Sequence, residues 1–341
     1  MERRIRTIKS EELKQSFGTW LGMGYPVVSA FTEGLLQHWD DLFPLIAQTA
    51  SLQGDFFIGP GNIMAATRLA YAKAREDDFS CFYGLTDEEA WWGVVQDVLS
   101  QEGAKRVFLE NIWRPPMVVK PNRGIGLQYI LSHHFGENPI SAVDLGAGLH
   151  FALTFLNSER YLEADFPGRD KVSDSRRKVD VVRGIGVDIQ PRDLDWARAS
   201  LWPLTGRWRA VKELEELHEE AMKRGDQFPF LQADITDQPE CLRMIRQVSN
   251  AQEVDVVSTF FVLHQLDEPG RQELQRLVIN LLVEGGIWVI VGEELVTDRS
   301  IKSSAVMVSR KTNGSIQPAQ EAFKLVGQQR IMKVGEYFGV S

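Results

Sequence analysis

The spacing of apolar residues changes character along the chain. In "SEELKQSFGTWLGMGYPVVSAFTEGLLQHWDDLFPLIAQTA", "GNIMAATRLAYAKAR" and "TDEEAWWGVVQDVLSQEG" they recur every three to four positions. That is the period of a helix with one buried face. Ser10 ahead of Glu11 and Glu12 reads as an N-cap, and Thr86 with Glu89 as a capping box. Pro115 and Pro116 in "IWRPPMVV" break helix and mark a boundary.

Beyond it come short apolar runs that mostly end in a polar or acidic residue: "ISAVDLGAG", "VVRGIGVDIQ", "FPFLQADIT", "EVDVVSTFFVLHQL" and "GGIWVIVGEEL". Between them lie the helix-like stretches "GLHFALTFLNSERY", "DLDWARASLWPLTGRWRAVKELEELHEEAMKRG", "CLRMIRQVSNA" and "PGRQELQRLVINLLVEG". Strands alternating with helices predict right-handed crossovers and an α/β fold, doubly wound around a mainly parallel sheet. The expected organisation is a helical cap over residues 1–118 and the sheet domain over 119–341. Residues 301–341 predict a tail with two more strands, near "SAVMVSRK" and "QRIMKVGEYF". In such sheets ligands sit outside the carboxyl ends of the strands, so the polar residues ending each run should meet in one crevice.

Composition narrows the chemistry. The chain has 341 residues, 43% of them hydrophobic and 25% charged, the make-up of a soluble globular protein. Its formal net charge of −9 is a poor match for a nucleic-acid backbone, so no nucleic-acid partner is expected. Arg176, Arg177 and Lys178 form a local basic run that reads as a solvated loop. The two cysteines, Cys81 and Cys241, are far apart and lack neighbours at metal-ligand spacing, which argues against a disulfide framework or a zinc site. The charged start "MERRIRTIKSEEL" and the lack of any membrane-length apolar run predict a cytoplasmic protein without a membrane partner.

"SAVDLGAGLH" carries the most specific signal. Gly146 and Gly148 admit positive φ and bare the backbone to a ligand, and a helix from about Leu149 would aim its free N–H groups there. The dinucleotide fingerprint G-x-G-x-x-G does not fit, because Phe151 stands where the third glycine belongs. A pyrophosphate gains nothing from the acid at Asp144, whereas an amino group or sulfonium does. Asp188 ends the next run and suits the paired hydroxyls of a ribose. Asp234 in "LQADITD" suits an adenine amino group, with Ile189 and Ile235 against the ring.

This order over residues 140–294 resembles the class I S-adenosylmethionine-dependent methyltransferases. Asp144-Leu145-Gly146-Ala147-Gly148 looks like their glycine-rich first motif, Asp188 like the ribose acid and Asp234 like the adenine-side acid. "VVKPNRGIGLQYIL", "VVRGIGVDIQPRDLD" and "WARASLWPLTGRWRAVKELEEL" also resemble a bacterial family described only as a domain of unknown function. Two departures stand out. His150 occupies a position that is usually small, and Asp144 and Asp188 lie 44 positions apart, which implies a charged loop or hairpin inserted over roughly Glu159 to Asp180.

The resemblance implies S-adenosyl-L-methionine as cofactor, held by Asp144, Gly146, Ala147, Gly148, Asp188, Ile189, Asp234, Ile235 and Phe260. The acceptor site should lie beyond the fourth strand, where "TFFVLHQL" places Phe260, Phe261, His264 and Gln265. His264 is the candidate base or acceptor-orienting residue, since His titrates near neutrality. Phe261 and Arg123, the latter in "KPNRGIG", are candidates for the substrate edge. Trp20, Tyr25, Trp91, Trp92 and Trp113 either line a pocket or fill the core.

The fourth motif lacks the Asn/Asp-Pro-Pro-aromatic signature of amide and exocyclic-amine methylation, and no metal site is expected. The expected function is methylation of a small-molecule acceptor, at a hydroxyl or carboxyl oxygen. The rivals are a catalytically silent S-adenosylmethionine-binding regulator, an NAD-dependent oxidoreductase and an RNA methyltransferase.

Overall fold

The computed structural model describes residues 10–21, 26–50, 59–76, 79–82, 84–114, 124–166, 168–175, 177–201, 209–224, 228–260, 262–263, 266–294, 303–326, 331–334 and 336–338. The chain forms two compact units: Met1–Val119 with Asp193–Glu216, and Lys120–Arg192 with Leu217–Ser341. The division is discontinuous in sequence, whereas the apolar pattern suggests a single boundary after residue 118.

The first unit is helical among its described residues: α1 (Ser10–Gly18), α2 (Pro26–Gln37), α3 (Trp39–Ala50), α4 (Pro60–Arg75), α5 (Glu88–Ser100) and α6 (Glu102–Asn111). Two helix starts differ from expectation. Ser10 is the first helical residue of α1, and its hydroxyl accepts from Trp39 Nε1 at 2.8 Å. Asp87, not Thr86, caps α5: its carboxylate accepts from the Ala90 amide at 2.7 Å. A carboxylate at this position satisfies an amide that helix geometry leaves unpaired. Gly34 lets α2 meet α5 closely, because a Cβ there would stand 2.7 Å from the Glu88 carbonyl oxygen. Trp91 stacks on Phe82 at 5.4 Å and meets Phe31 edge-on at 5.1 Å. Trp91, Trp92 and Trp113 are buried core residues, Trp20 is half-buried, and Tyr25 lies outside the described residues.

The second unit is built on a mixed sheet. After α7 (Ile125–Phe135) come β1 (Pro139–Leu145), the single turns α8 (Phe151–Thr154) and α9 (Glu159–Leu162), and β2 (Asp180–Asp188). The chain continues through α10 (Leu194–Ser200), which belongs to the first unit, and α11 (Arg209–Arg224), within which the division falls. Then follow β3 (Phe230–Gln232), α12 (Gln238–Ser249), β4 (Val254–Phe260), α13 (Glu268–Leu281) and β5 (Leu282–Glu294). The last strands are β6 (Ser303–Thr312), β7 (Ser315–Ile316), β8 (Gln320–Val326) and β9 (Ile331–Val334).

Strand order is β3-β2-β1-β4-β5-β6-β8-β9, with β7 paired to β6. The first five strands are parallel, as their apolar character predicts. The reversal of order at β1 and β4 is the switch point where open α/β sheets bind ligands. The C-terminal region differs from the expected pair of strands. β6 to β9 form an antiparallel extension of the same sheet.

Val143, Leu145, Ile185 and Val187 face a core shared with Cys241, Ile245, Leu274 and Leu277 of α12 and α13. Around α7 and the extension lies a run of aromatics, Tyr129, Phe166, Phe323 and Phe338, with successive ring centres 5.0–5.9 Å apart. The insertion expected as a loop or hairpin between residues 159 and 180 contains α9 and a 3-10 segment at Arg169–Ser175, and no hairpin among its described residues. Asn157, at φ 62°, supplies its register. Its side chain exchanges two hydrogen bonds of 2.8 Å with the Val179 backbone, so it acts as a strand partner just before β2.

Candidate functional site

β1 and β2 end side by side, and the two loops that leave them are bonded together. Gly146 (φ 77°) and Gly148 (φ 56°) adopt the left-handed backbone that the turn requires. The Gly146 and Ala147 amides donate to the Val187 carbonyl at 2.7 and 3.0 Å. The Gly148 amide donates to Asp188 Oδ2 at 2.8 Å, and the Gln190 amide to Oδ1 at 2.9 Å. Ile189, next in sequence, is 39% exposed, unusual for a large apolar side chain.

Asp234 forms its own turn, accepting at Oδ1 from the Thr236 amide (2.9 Å) and hydroxyl (2.6 Å). The Ala233 amide donates to the Asp188 carbonyl at 2.9 Å, which holds the loop after β3 against the end of β2. Asp188, Ile189 and Asp234 therefore share one edge of the sheet with Gly148. Ile235 differs: at 8% exposure it belongs to the core with Cys241 and Ile245, so it offers no exposed face to an adenine ring. Phe260 is half-buried at the end of β4. Arg123, Phe261, His264 and Gln265 lie outside the described residues.

Asp144 is not at the surface of the turn. It is 1% exposed, paired in register with Gly186 of β2 and Ser258 of β4. The Ser258 hydroxyl donates to its Oδ1 at 2.7 Å. Burial pushes its carboxyl up to about 7; Ser258 opposes the rise and Asp188 adds to it. Tyr161, fully buried nearby, has its phenol pushed up by burial first and by Asp144 second. The expected open contact with an amino group or sulfonium is thus replaced by a dry, hydrogen-bonded carboxyl beneath the turn.

The helix expected from Leu149 is also corrected. α8 is a single turn, Phe151–Thr154, behind His150 in a left-handed conformation (φ 63°). One turn supplies little dipole, and the amides of Gly146, Ala147 and Gly148 are already bonded to Val187 and Asp188. The His150 ring covers Gly186, where a Cβ would come within 2.6 Å of the imidazole. Burial first, and Arg192 second, lower its pKa to about 3, so the ring is neutral.

Sequence patterns pointed to none of Ser258, Val262 or His150 as structural partners of the turn. Val262 places a methyl where a Cβ on Gly146 would stand. Its signal in sequence is only a short apolar run after β4, and the pairing of Ser258 with Asp144 follows from strand register. Among the described residues no three His, Cys, Asp or Glu side chains gather as a metal site, and no helix is long and apolar enough to cross a membrane.

No protein-family model matches the chain, so its resemblance to the bacterial family of unknown function has no such match behind it. No curated protein matches it either. Solved structures with a similar backbone include phosphoethanolamine N-methyltransferase 1 of Haemonchus contortus, in complex with phosphoethanolamine and S-adenosylhomocysteine. It is 12% identical over 57% of this chain and 29% of that one, with a TM-score of 0.29. The plantazolicin methyltransferase BamL, in complex with a triazolic desmethylPZN analog and S-adenosylhomocysteine, is 14% identical over 69% and 59%, with a TM-score of 0.30. A 1,6-didemethyltoxoflavin-N1-methyltransferase of Burkholderia thailandensis is 14% identical over 67% and 70%, with a TM-score of 0.30. This chain spans 29–59% of the length of H. contortus enzyme, BamL and the YcgJ protein of Bacillus, so their activities do not transfer to it.

Proposed function

We propose that the chain is an S-adenosylmethionine-dependent methyltransferase whose acceptor is a small molecule, methylated at a hydroxyl or carboxyl oxygen. One observation carries the reading. The glycine turn after β1 and the acid after β2 are bonded to each other, Gly148 to Asp188, beside an exposed Ile189. That arrangement suits adenosine: a diol on Asp188, an apolar ring face on Ile189, and Asp234 at the neighbouring strand end. Asp234 Oδ1 is engaged by Thr236, and its other oxygen carries no hydrogen bond among the described residues. When bound, the cofactor supplies an electrophilic methyl on a sulfonium.

His264 follows the end of β4 by four positions and is the proposed base or acceptor-orienting group, with Phe261 and Arg123 at the substrate edge. The motif order over residues 140–294 supports the cofactor assignment, and the likeness to the uncharacterised bacterial family names no substrate. A cytoplasmic location remains part of the proposal.

The test is calorimetric titration with S-adenosylmethionine, S-adenosylhomocysteine and NAD, using Asp188→Asn as control. Asparagine preserves the shape and one of the two acceptor oxygens that the Gly148 and Gln190 amides use. Binding of the first two ligands, weakened in the variant, supports the proposal. Binding of NAD alone, or of no ligand, overturns it.

A second reading, a binding protein without transfer activity, is favoured by Val262, which fills the space beside Gly146. It predicts S-adenosylhomocysteine binding with no methyl transfer to phenols or carboxylates.

A further inference from the structure

β2 carries two glycines on one face, Gly184 and Gly186, and a ring from outside the strand covers each. A Cβ at Gly184 would stand 2.6 Å from the Phe228 ring, and one at Gly186 would stand 2.6 Å from the His150 ring. Glycine inside a strand weakens it and marks a place where another group comes close. Gly186 lies in a row across three strands, opposite Asp144 of β1 and Phe230 of β3. Register partners direct their side chains to one face, so the imidazole seats in the gap that glycine leaves in that row.

The His150 backbone is held on both sides. Its amide donates to the Ala147 carbonyl at 2.7 Å, and its carbonyl accepts from the Thr154 hydroxyl at 2.6 Å. Its φ of 63° is a left-handed value that histidine adopts more readily than most side chains. The ring centre lies 6.2 Å from that of Phe230, and the Arg192 guanidinium carbon lies 6.0 Å from the Phe230 centre. All these residues belong to the second unit.

His150 is 1% exposed, and neither ring nitrogen has a hydrogen-bond partner among the described residues. A buried polar atom without a partner costs free energy. What the ring contributes in this state is therefore contact, and that contact joins the loop after β1 to β2 and β3. The 2.8 Å bond from the Gly148 amide to Asp188 spans the same loop and strand. The bond from the Gln190 amide to Asp188 does not, because both of its residues lie at the end of β2 or just beyond. A turn attached twice before a ligand arrives has fewer conformations to lose on binding.

We propose that His150 is a positioning residue for adenosine recognition: its ring, seated on Gly186 against Phe230, pins the loop after β1 to the neighbouring strands and so holds Gly148 on Asp188. The proposal rests on the methyltransferase reading for the identity of the ligand, but not for the state of the turn.

Four variants of the full chain test it: His150→Ala, His150→Phe, Gly186→Ala and the double variant His150→Ala/Gly186→Ala. The first empties the notch, and the third pushes the ring out of it. Phenylalanine keeps a flat ring without the nitrogens. The probes are adenosine and S-adenosylhomocysteine, with amide hydrogen exchange followed at Gly148, Gln190 and the β4 and β5 amides.

The expected result for His150→Ala and for Gly186→Ala is faster Gly148 exchange, little change at Gln190, β4 and β5, and roughly tenfold weaker binding of both probes. His150→Phe should recover most of it. The double variant should lose no more than either single one, because both break the same contact. Additive losses would overturn the proposal. So would faster exchange throughout β4 and β5, or Gly148 exchange and affinities within about twofold of wild type.

If the variants fail to fold, the wild type still tests the contact. Burial first, and Arg192 second, hold the ring neutral; Phe230 on β3 brings no charge, and Asp144 and Asp188 are the acids of the adjoining strand ends. Magnetic resonance of the imidazole should show it neutral at about pH 5, where a solvated histidine is mostly charged. Titration near about 6.5 would put the ring outside the notch and overturn the proposal. If the wild type binds neither probe, the methyltransferase reading fails and takes the ligand with it, whereas unchanged Gly148 exchange in His150→Ala overturns the pinning whatever binds.

Discussion

Asp144 and Asp188 lie near the carboxyl ends of adjacent parallel strands, Asp144 opposite Gly186 and two positions short of Asp188, yet their surroundings give them opposite properties. Asp144 is dry, receives the Ser258 hydroxyl, and has its carboxyl pushed up to about 7 by burial. Asp188 is half-buried, receives the Gly148 and Gln190 amides, and sits beside an exposed isoleucine. The difference lies in strand geometry. Asp144 falls inside β1, where its side chain faces the sheet's packed layer between β2 and β4. Asp188 is the last residue of β2, where pairing with β3 is already ending. One acid is a buried group under the turn, and the other is a half-buried group at its rim that accepts from two loop amides. A strand-end acid thus takes its role from whether the strand continues past it.

The largest effect should come from abolishing the turn that joins the two. Gly146→Ala forces a side chain into left-handed backbone and into the Val262 methyl. The expected loss of stability is about 2–5 kcal/mol from strain and overpacking together, read by chemical denaturation. The double variant Gly146→Ala/Val262→Ala should recover the packing share but not the backbone share. Full recovery would show that conformation is not what requires glycine here.

Next, Asp188→Ala should weaken S-adenosylhomocysteine binding by more than Asp188→Asn, and by at least about tenfold, because alanine removes the acceptor of two loop amides as well as the diol partner. Equal effects of the two variants would mean that the carboxylate's charge, rather than its hydrogen bonding, holds the loop.

The third contrast is in pH. The folded state raises the Asp144 pKa above its unfolded value near 3.9. The neutral carboxyl therefore favours the folded state at low pH, and that advantage is lost as pH rises through about 7. Asp144→Asn removes the titration. Its melting temperature relative to wild type should improve between pH 5 and pH 8, by about 2–4 °C for each kcal/mol the ionised carboxylate costs. A gap that is flat across this range would place the titration elsewhere. The smallest effect belongs to Ile189→Ser. Adenosine affinity should fall by about threefold to tenfold with stability within about 0.5 kcal/mol of wild type, since the side chain is already exposed.

Much of the second unit was legible in the chain. Five apolar runs, each long enough for a strand and separated by helical stretches, can hardly form anything but a parallel sheet with helices on both faces. The glycines at 146 and 148 marked the turn, and the acid at 188 marked its partner, because both depend on local residue chemistry. The antiparallel extension was read only in part. β8 carries charged residues at Glu321 and Lys324 along with Ala322 and Phe323, a weak alternation that only pairing with β6 and β9 turns into a strand.

Sequence alone determined the class of fold, the alternation of strands and helices along the chain and the position of the glycine turn, because hydrophobic period and backbone freedom act over a few neighbouring residues. Tertiary structure decided which acid is buried, that Ile235 turns into the core while Ile189 does not, that His150 closes over Gly186, and that α10 is anchored by Arg68 and Arg114. These outcomes depend on strand register and on partners tens to more than a hundred residues distant. Burial and ion pairing are set by whatever the fold brings alongside a residue, and the chain's local pattern contains no record of that.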